Sequence, residues 1–481
     1  MRQRFKTSEY KNIGHLTRSI KLRLMFALDV VMVLIPFLFI ALFFYEGRMD
    51  RDFSLRVNWL FILLFVVVYV ICAIAYQVFQ IQIVRIQELV YSQILSLVVT
   101  DFVMFIIIWL VNMRFPNVIP MLIAFAVQCA LAVLWAFVAH KWYFHSFRPA
   151  KTLIIYDHMA SQVNELLKKE GMDIRFKVVG VEHVSKFQNG DMSRLEGIDA
   201  VFLSGVHSHE RNQLLKYCTF RDINAYVIPR VGDVILTGAQ KIYMLNLPIL
   251  KVSRYNPAHE YLFIKRFFFF FLSAIAIGIT SPVMLVLAII IKRTDGGPVL
   301  YRQVRLTRYR REFEMLKFRS MIPDAEKDGV ARLSTGENDK RVTKVGRFMR
   351  RYRLDELPQL FNIIKGDMSL VGPRPERPEI AKVYESRLPE FALRLQVRAG
   401  LTGIAQVYGR YNTEPYDKLL LDLTYISKPG LAQDVKVMLA TIKTLFIKDS
   451  TRGVDAGQVT ADISDINEYF RKNEDIKDAE D

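Results

Sequence analysis

The sequence predicts a membrane protein with a large water-facing α/β portion, and three observations carry that prediction. Hydrophobic residues make up 52% of the 481-residue chain, concentrated in long apolar runs, which is more than soluble domains of this length carry. Charged residues still amount to 23%, too many for a chain made of bilayer spans alone. Lys and Arg outnumber Asp and Glu by 65 to 48, a balance suited to anionic partners such as phospholipid headgroups, nucleic acid or phosphorylated substrates. Disordered and fibrous classes are excluded by the same composition. Only three cysteines occur, with Cys72 and Cys129 in separate apolar runs, so a disulfide framework and a thiolate metal site are excluded as well.

Residues 1–150 read as four transmembrane helices. The apolar runs are Phe26 to Phe44, Trp59 to Phe79, Ile94 to Val111 and Val118 to Val138. Arg2, Arg4, Lys6, Lys11, Arg18, Lys21 and Arg23 precede the first run, and no small-residue cleavage site follows it, so it is not a signal peptide. With the N-terminus in the cytoplasm, the inner segments hold 11 basic residues and the outer loops four. The positive-inside rule therefore places residue 150 onward in the cytoplasm. Asp29 and Asp101 fall within spans, where an ionisable group is a functional candidate and helix–helix hydrogen bonding is the plainer role.

Residues 151–258 change pattern. Short apolar strands (Thr152 to Tyr156, Phe176 to Val181, Ala200 to Leu203, Ala225 to Ile228) alternate with polar helical stretches such as Val163 to Lys169, which predicts a Rossmann-like α/β domain with a mostly parallel sheet. The turn after the first strand, Asp157 to Ser161, has no glycine to let backbone N–H groups approach a phosphate. A docking, dimerising or regulatory role is expected here ahead of nucleotide binding.

Residues 259–295 contain Phe267 to Ile291, 25 nearly uninterrupted apolar residues that as one helix reach about 37 Å. Ser281-Pro282 interrupts the middle, and Lys265, Arg266, Lys292 and Arg293 flank both ends. A re-entrant hairpin and a kinked fifth span both suit these features. Residues 296–459 form a soluble, Arg-rich part, and 460–481 an acidic flexible tail.

The residues able to carry chemistry lie between Leu316 and Asp434. Leu357, Leu360, Phe361 and Ile364 repeat at helical spacing, with Gly366 as a stop, so Asp355 falls at the helix cap and Glu356 at its first position. An acidic pair there caps a helix, or it is kept ionised by Arg350, Arg351 and Arg353 for attack on phosphorus or for holding a hard cation. Gly372-Pro373-Arg374-Pro375 fixes one guanidinium on a stiff loop, a phosphate fork or a surface turn. Leu316 to Met321 reads as a strand with Lys317 and Arg319 on one face, and Gly400 to Arg410 as a loop open to close backbone approach or a tight turn. There is no HExxH, no Walker lysine loop, no Gly-x-Ser-x-Gly and no cysteine cluster, which argues against metalloprotease, P-loop and serine-hydrolase chemistry.

Taken in order, these residues resemble the bacterial sugar transferases, the monotopic polyprenyl-phosphate phosphoglycosyl transferases. The resemblance rests on Lys317-Phe318-Arg319-Ser320-Met321, Arg341 to Phe348, Leu354-Asp355-Glu356-Leu357-Pro358-Gln359-Leu360, Lys365 to Pro375 and Gly400 to Arg410, and covers about Lys265 to Gly453. It implies an α/β catalytic domain at the cytoplasmic face of the bacterial inner membrane. The implied reaction is transfer of hexose-1-phosphate, glucose or galactose with a lean to glucose, from a UDP-hexose to undecaprenyl phosphate, releasing UMP and initiating exopolysaccharide, capsule or O-antigen synthesis. By matching position, Asp355 is the nucleophile and Glu356 a Mg²⁺ ligand. Lys317, Arg319, Arg350, Arg374, Asp422 and Asp434 become substrate-binding residues.

The resemblance further implies that Phe267 to Ile291 is a re-entrant hairpin turning at Ser281 and Pro282, because UDP-sugars are cytoplasmic and a fifth crossing would put Asp355 outside. Membrane lipids are then partners, nucleic acid is not, and a homodimer through the α/β domain is expected. One departure is that Thr307, Tyr309 and Arg310 stand where the family has a glycine-bearing hairpin after Arg305, which leaves the shape of that turn open. The competing readings are a non-enzymatic membrane scaffold or sensor, and a transferase working by direct displacement without a covalent step.

Overall fold

The structure is a computed structural model that describes residues 2–41, 44, 54–81, 85–113, 115–157, 163, 167–168, 172–187, 192–244, 246–255, 257–322, 341–409 and 415–445. The acidic tail and Arg410 lie outside the described residues, as does most of the turn after the first strand. The chain divides into two compact units, residues 1–228 and 229–481.

The first unit opens with four helices, α1 (Arg2–Ile40), α2 (Ser54–Ala75), α3 (Ile86–Asn112) and α4 (Ile119–Ser146). Windows in α1, α3 and α4 are long and apolar enough to cross a membrane, as is a later helix at 259–294, while the apolar stretch of α2 is shorter. The protein is a membrane protein. Apolar side chains such as Trp59, Leu60, Ile74, Phe102 and Leu134 stay exposed on the bundle surface, which is the outward face lipid requires. Helix α4 turns Ala124, Gln128, Ala132, Ala136 and Ala139 inward at about one-turn spacing. Small residues in such a stripe let neighbouring helices approach closely where no hydrophobic drive separates lipid from side chain.

Three residues after α4 the chain enters a four-stranded parallel sheet: β1 (Ala150–Tyr156), β2 (Phe176–His183), β3 (Ala200–Ser204) and β4 (Asn224–Val227), with α5 (Ser208–Phe220) between the last two. The strand order is β2-β1-β3-β4, and each expected strand formed within two residues at either end. Leu153 and Ile155 face one core with Val201 and Leu203, while Ile154 faces the other with Phe176 and Ala200. Burial on both faces is why these strands read as continuous apolar runs.

The second unit begins with α6 (Val231–Thr237) and an antiparallel hairpin, β5 (Gln240–Met244) and β6 (Leu247–Lys251). Then comes α7 (His259–Asp295), 37 residues long. The turn expected at Ser281 and Pro282 is replaced by uninterrupted helix, with Pro282 inside it. Proline removes the N–H that would bond the carbonyl four residues back, here that of Gly278. The Ser281 hydroxyl donates to that oxygen instead, at 2.8 Å, so the helix continues past the proline with its orphan carbonyl satisfied.

One face of α7 packs onto the rest of this unit along its length. Phe269 joins the core around Phe391 and Leu419, Ala276 and Ile277 lie against Leu360 and Ile363, and Leu287 and Ile291 lie against Phe318 and Met349. The opposite face leaves Phe263, Phe267, Phe268, Phe271, Ile275, Ile279, Val286 and Ile290 exposed.

The remaining elements are a second antiparallel hairpin, β7 (Leu300–Leu306) and β8 (Glu312–Phe318); α8 (Lys344–Arg351); α9 (Gln359–Lys365); the short parallel pair β9 (Ser369–Val371) and β10 (Gly400–Thr402); and helices α10 (Pro378–Arg387), α11 (Ile404–Val407), α12 (Pro415–Ser427) and α13 (Leu431–Leu445). At the β7–β8 turn the absent glycine is replaced by strain. Tyr309 and Arg310 both take left-handed backbone, at φ 59° and 62°, which costs about 1–2 kcal/mol per residue. The turn is held by Thr307 N donating to Arg311 O, by Arg308 stacked 4.5 Å over the Tyr309 ring, and by an Arg310–Glu385 ion pair at 2.6 Å.

Candidate active site

Asp355 and Glu356 lie on a single 3-10 turn, Leu354–Glu356, three residues ahead of α9, so neither caps that helix as the spacing suggested. The residue before the turn, Arg353, is left-handed at φ 54°. A non-glycine residue held there is a strained position maintained by its surroundings, and it links the end of α8 to the acidic pair. The turn packs against β8 and α7, where Leu354 and Leu357 join Leu287, Phe318 and Met349.

Three of the expected residues converge on this pair. Lys317, on β8, places its Nζ 3.2 Å from Glu356 Oε1, and an Arg374 guanidinium nitrogen donates to the same oxygen at 3.1 Å. Arg350, at the end of α8, donates from Nε to Ser320 Oγ at 2.8 Å and acts electrostatically on Asp355. Arg319 differs from expectation. It falls one residue past β8, and its guanidinium lies against Gly297, where a Cβ would sit 2.1 Å from it. It therefore does not share a strand face with Lys317.

The two carboxyls are driven apart electrostatically. Asp355 is only 9% exposed. Burial raises its carboxyl above the usual aspartate range and the Glu356 charge adds to this, while Lys317 and Arg350 oppose both. Burial works against ionising Glu356 too, but Lys317, Arg374 and Arg353 outweigh it and hold that carboxyl well below the usual range. The result is one permanently anionic group beside one whose ionisation is sensitive to its cations. If ionised Asp355 does the work, activity is lost as pH falls through its raised value, so the acid limb of kcat/KM should lie above about pH 4. Arg350→Gln removes a cation that favours the carboxylate and should move that limb to higher pH, measurable in a pH–rate profile. An unmoved limb would show that the limb does not report Asp355.

Arg374 is fixed by backbone packing. Gly372 N donates to Thr402 O at 2.9 Å and Gly400 N to Pro373 O at 2.8 Å. A Cβ on Gly372 would stand 2.4 Å from Arg398 O, one on Gly400 2.2 Å from Gly372 N, and one on Gly403 2.3 Å from Gly372 O. The glycine-punctuated stretch thus serves chain-on-chain contact: it is the bed on which the Pro-Arg-Pro loop lies.

Asp422 and Asp434 do not join the pair. Asp422, 1% exposed, takes Arg394 at 2.6 Å, and Asp434, 0% exposed, takes Lys265 at 3.0 Å, Tyr261 at 2.8 Å and Tyr425 at 2.6 Å. With no surface left to solvent, these carboxylates cannot bind substrate directly, and the sequence expectation for them is corrected to an internal role. Arg394, which spacing alone did not reveal, joins them to the site. Its side chain is 2% exposed, and it bonds Asp422, Glu376 at 3.4 Å and the Arg374 carbonyl at 2.9 Å. Glu376 also pairs with Lys418 and lies 4.0 Å from Arg305, which itself donates to Pro375 O. The only hint in the sequence was Glu376 directly after the Pro-Arg-Pro run.

Among the described residues no three His, Cys, Asp or Glu side chains gather as a metal cage. Two adjacent carboxyls are nevertheless the usual protein share of a Mg²⁺ site whose other ligands are phosphate oxygens and water.

The sequence profile described as bacterial sugar transferase matches residues 260–448. A UDP-N-acetylgalactosamine-undecaprenyl-phosphate N-acetylgalactosaminephosphotransferase of Aeromonas hydrophila is 38% identical over 239 residues, 49% of this chain and 55% of that protein. A UDP-glucose:undecaprenyl-phosphate glucose-1-phosphate transferase of Caulobacter vibrioides is 40% identical over 183 residues, 37% of this chain and 68% of its own length. An undecaprenyl-phosphate galactose phosphotransferase of Salmonella typhimurium is 34% identical over 277 residues, 54% of this chain and 56% of that protein. The chain spans about half the length of the first and third of these relatives.

Proposed function

Because this chain belongs to the bacterial sugar transferase family, we propose that it transfers hexose-1-phosphate from a UDP-hexose to undecaprenyl phosphate, releasing UMP, as the first step of a surface polysaccharide. The observation that carries the reading is the Asp355–Glu356 turn held between Lys317, Arg350 and Arg374. An Asp355 oxygen attacks the β-phosphorus of the UDP-sugar, the bond to the UMP oxygen breaks, and UMP leaves with that electron pair. An oxygen of the lipid phosphate then attacks the same phosphorus and frees the carboxylate. One phosphoanhydride is broken and one made, so no further energy source is needed.

Arg374 and Lys317 are placed to meet diphosphate oxygens and neutralise charge in the transition state. Burial of Asp355 keeps water from the acyl phosphate. Mg²⁺, held by Glu356 with Asp355 beside it, would screen the repulsion between carboxylate and diphosphate. The relatives' names carry three different sugars, and no residue here reads one hydroxyl, so the lean to glucose is tested directly. UMP release should be fastest with UDP-glucose in a panel with UDP-galactose and UDP-N-acetylgalactosamine. Release with none of them in the presence of undecaprenyl phosphate would sink the assignment.

The same proposal keeps both ends of α7 on the cytoplasmic side of the inner membrane. The support is that Arg266, near its start, donates to the carbonyls of Ile363 and Ile364, while Ile291, near its end, packs on Phe318. A straight crossing would drag this polar body through the bilayer, whereas the exposed Phe and Ile face suits immersion in one leaflet. In a cysteine-free background, cysteines at Glu260 and Arg293 should both react with an impermeant thiol reagent only from the cytoplasmic side. Reaction from opposite sides would make α7 a fifth span.

A further inference from the structure

The join between the helical bundle and the parallel sheet holds a cavity that the proposed reaction does not use. Phe147, Arg148 and Pro149 are all that separates α4 from β1, and against them lies a space of about 40 Å³. One water needs about 10–15 Å³ measured in this way, so a group of several heavy atoms fits. The first residue of each strand, Ala150, Phe176, Ala200 and Asn224, lines it. Doubly wound sheets bind nucleotides at the carboxyl ends of their strands. This cavity is at the amino ends, so it is not that crevice.

The charged side chains that line it, among the described residues, are two arginines, Arg148 and Arg175. Arg148 has no hydrogen bond or ion pair among the described residues. Pro149 bars the Arg148 backbone from the helical region, so α4 stops and the guanidinium stays at the rim. Arg175 is pre-set: it stacks 4.7 Å over the Phe176 ring and donates to Tyr226 Oη at 3.4 Å. Tyr226 is fixed in turn, stacked on Phe202 at 4.8 Å and edge-on to Phe176 at 5.4 Å. Its hydroxyl accepts from Arg175, and its own proton has no acceptor among the described residues. Asp199, the acid next to Ala200 in sequence, already accepts from Lys151 N at 3.0 Å. The groups that converge here are donors and positive charge, and what they lack is an anion.

The cavity lies at the level where the bundle leaves the bilayer. The apolar windows Ile20–Ile40 and Ile119–Ser146 have their limits here. Lys21 of α1 sits 5.9 Å over the Phe147 ring, and Trp142 packs edge-on against the same ring at 6.3 Å. Lysine and tryptophan at the end of a span mark the headgroup layer, where the phosphates of anionic lipids are concentrated and basic pockets meet them. A soluble anion would leave the Phe144 and Phe147 wall bare, whereas a lipid covers it with its glycerol and acyl chains.

We propose that this cavity binds the phosphate of an anionic lipid, with Arg148 and Arg175 as the charged fork and Tyr226 Oη donating to a further oxygen, so that the lipid joins α4 to the sheet. The test is native mass spectrometry of the full-length protein, exchanged in detergent into an equal mixture of phosphatidylglycerol and phosphatidylcholine of matched chains. The first phosphatidylglycerol should be retained roughly tenfold in preference to the first phosphatidylcholine, whose choline opposes the arginines. Arg148→Gln breaks no contact among the described residues, so its effect reports the lipid and not the fold; it should lower that preference by roughly fivefold. Arg148→Gln combined with Arg175→Gln should abolish it. Equal preference in wild type and variants overturns the proposal. Displacement of the bound lipid by excess inorganic phosphate overturns it too, by assigning the arginines to a soluble anion.

Discussion

Asp355→Asn should abolish turnover and the covalent intermediate together. Enzyme and UDP-sugar without lipid acceptor should release UMP up to about one equivalent and leave a phosphosugar on Asp355, with ping-pong kinetics when both substrates vary. The amide loses both the charge and the nucleophilic oxygen, and its neighbours Lys317 and Arg350 cannot restore either. Loss of several orders of magnitude in kcat is expected, because a nucleophile is not replaced by binding alone. Glu356→Gln should behave differently: it leaves Lys317 and Arg374 without their shared anion and weakens Mg²⁺ binding, so some activity should return at high Mg²⁺. Direct displacement predicts no UMP before the lipid is added. The covalent reading fails if Asp355→Asn, cleared of wild-type enzyme, turns over above a trace.

Arg394→Met should cost the most stability of any single change in the second unit. The guanidinium is buried with Asp422 and Glu376, and removing it strands two anions beside Lys418 and Arg305. Breaking a buried pair by deleting one partner costs about 3–5 kcal/mol, which in a unit of this size lowers Tm by roughly 6–20 °C. Arg394 also holds the Arg374 carbonyl, so activity should fall below the folded fraction, with KM for the UDP-sugar rising as the phosphate fork loosens. Arg394→Lys keeps the charge without the fork and should recover stability better than activity. The network has a pH signature as well. Burial opposes ionisation of Glu376, but Lys418, Arg394 and Arg305 outweigh it and bring its carboxyl down to about 2. That stabilisation is present above about pH 4.5 and is lost as pH falls toward 2. A thermal scan in which Arg394→Met matches wild type would remove Arg394 from the framework of the site.

Much of the fold was legible because burial writes itself into local pattern. The strands from Ala150, Phe176, Ala200 and Asn224 were found nearly to the residue, since a parallel sheet covered on both faces needs uninterrupted apolar runs between polar turns. The membrane helices were legible for the same reason, as lipid admits no other long apolar segments. The acidic pair and the Pro-Arg-Pro arginine are legible as motifs, and the structure brings that arginine, together with Lys317, to one oxygen of Glu356. What failed were readings of local geometry. Asp355 proved to sit on a 3-10 turn behind a left-handed Arg353, Arg319 to point at Gly297, and the Ser-Pro break to be mended by one hydroxyl.

The sequence by itself determined the membrane character and the strands of the parallel sheet, and it singled out the acidic pair and the Pro-Arg-Pro arginine as motifs, because each depends on residue type and on spacing within one element. Tertiary structure alone decided which charges meet. Lys317, Glu356 and Arg374 come from a strand, a turn and a loop, and Arg394 reaches Asp422 from 28 residues away. An ion pair depends on distance in space, and spacing along the chain carries no record of it. The same holds for the three glycines at 372, 400 and 403, whose lack of side chains matters only because two backbones are laid against each other.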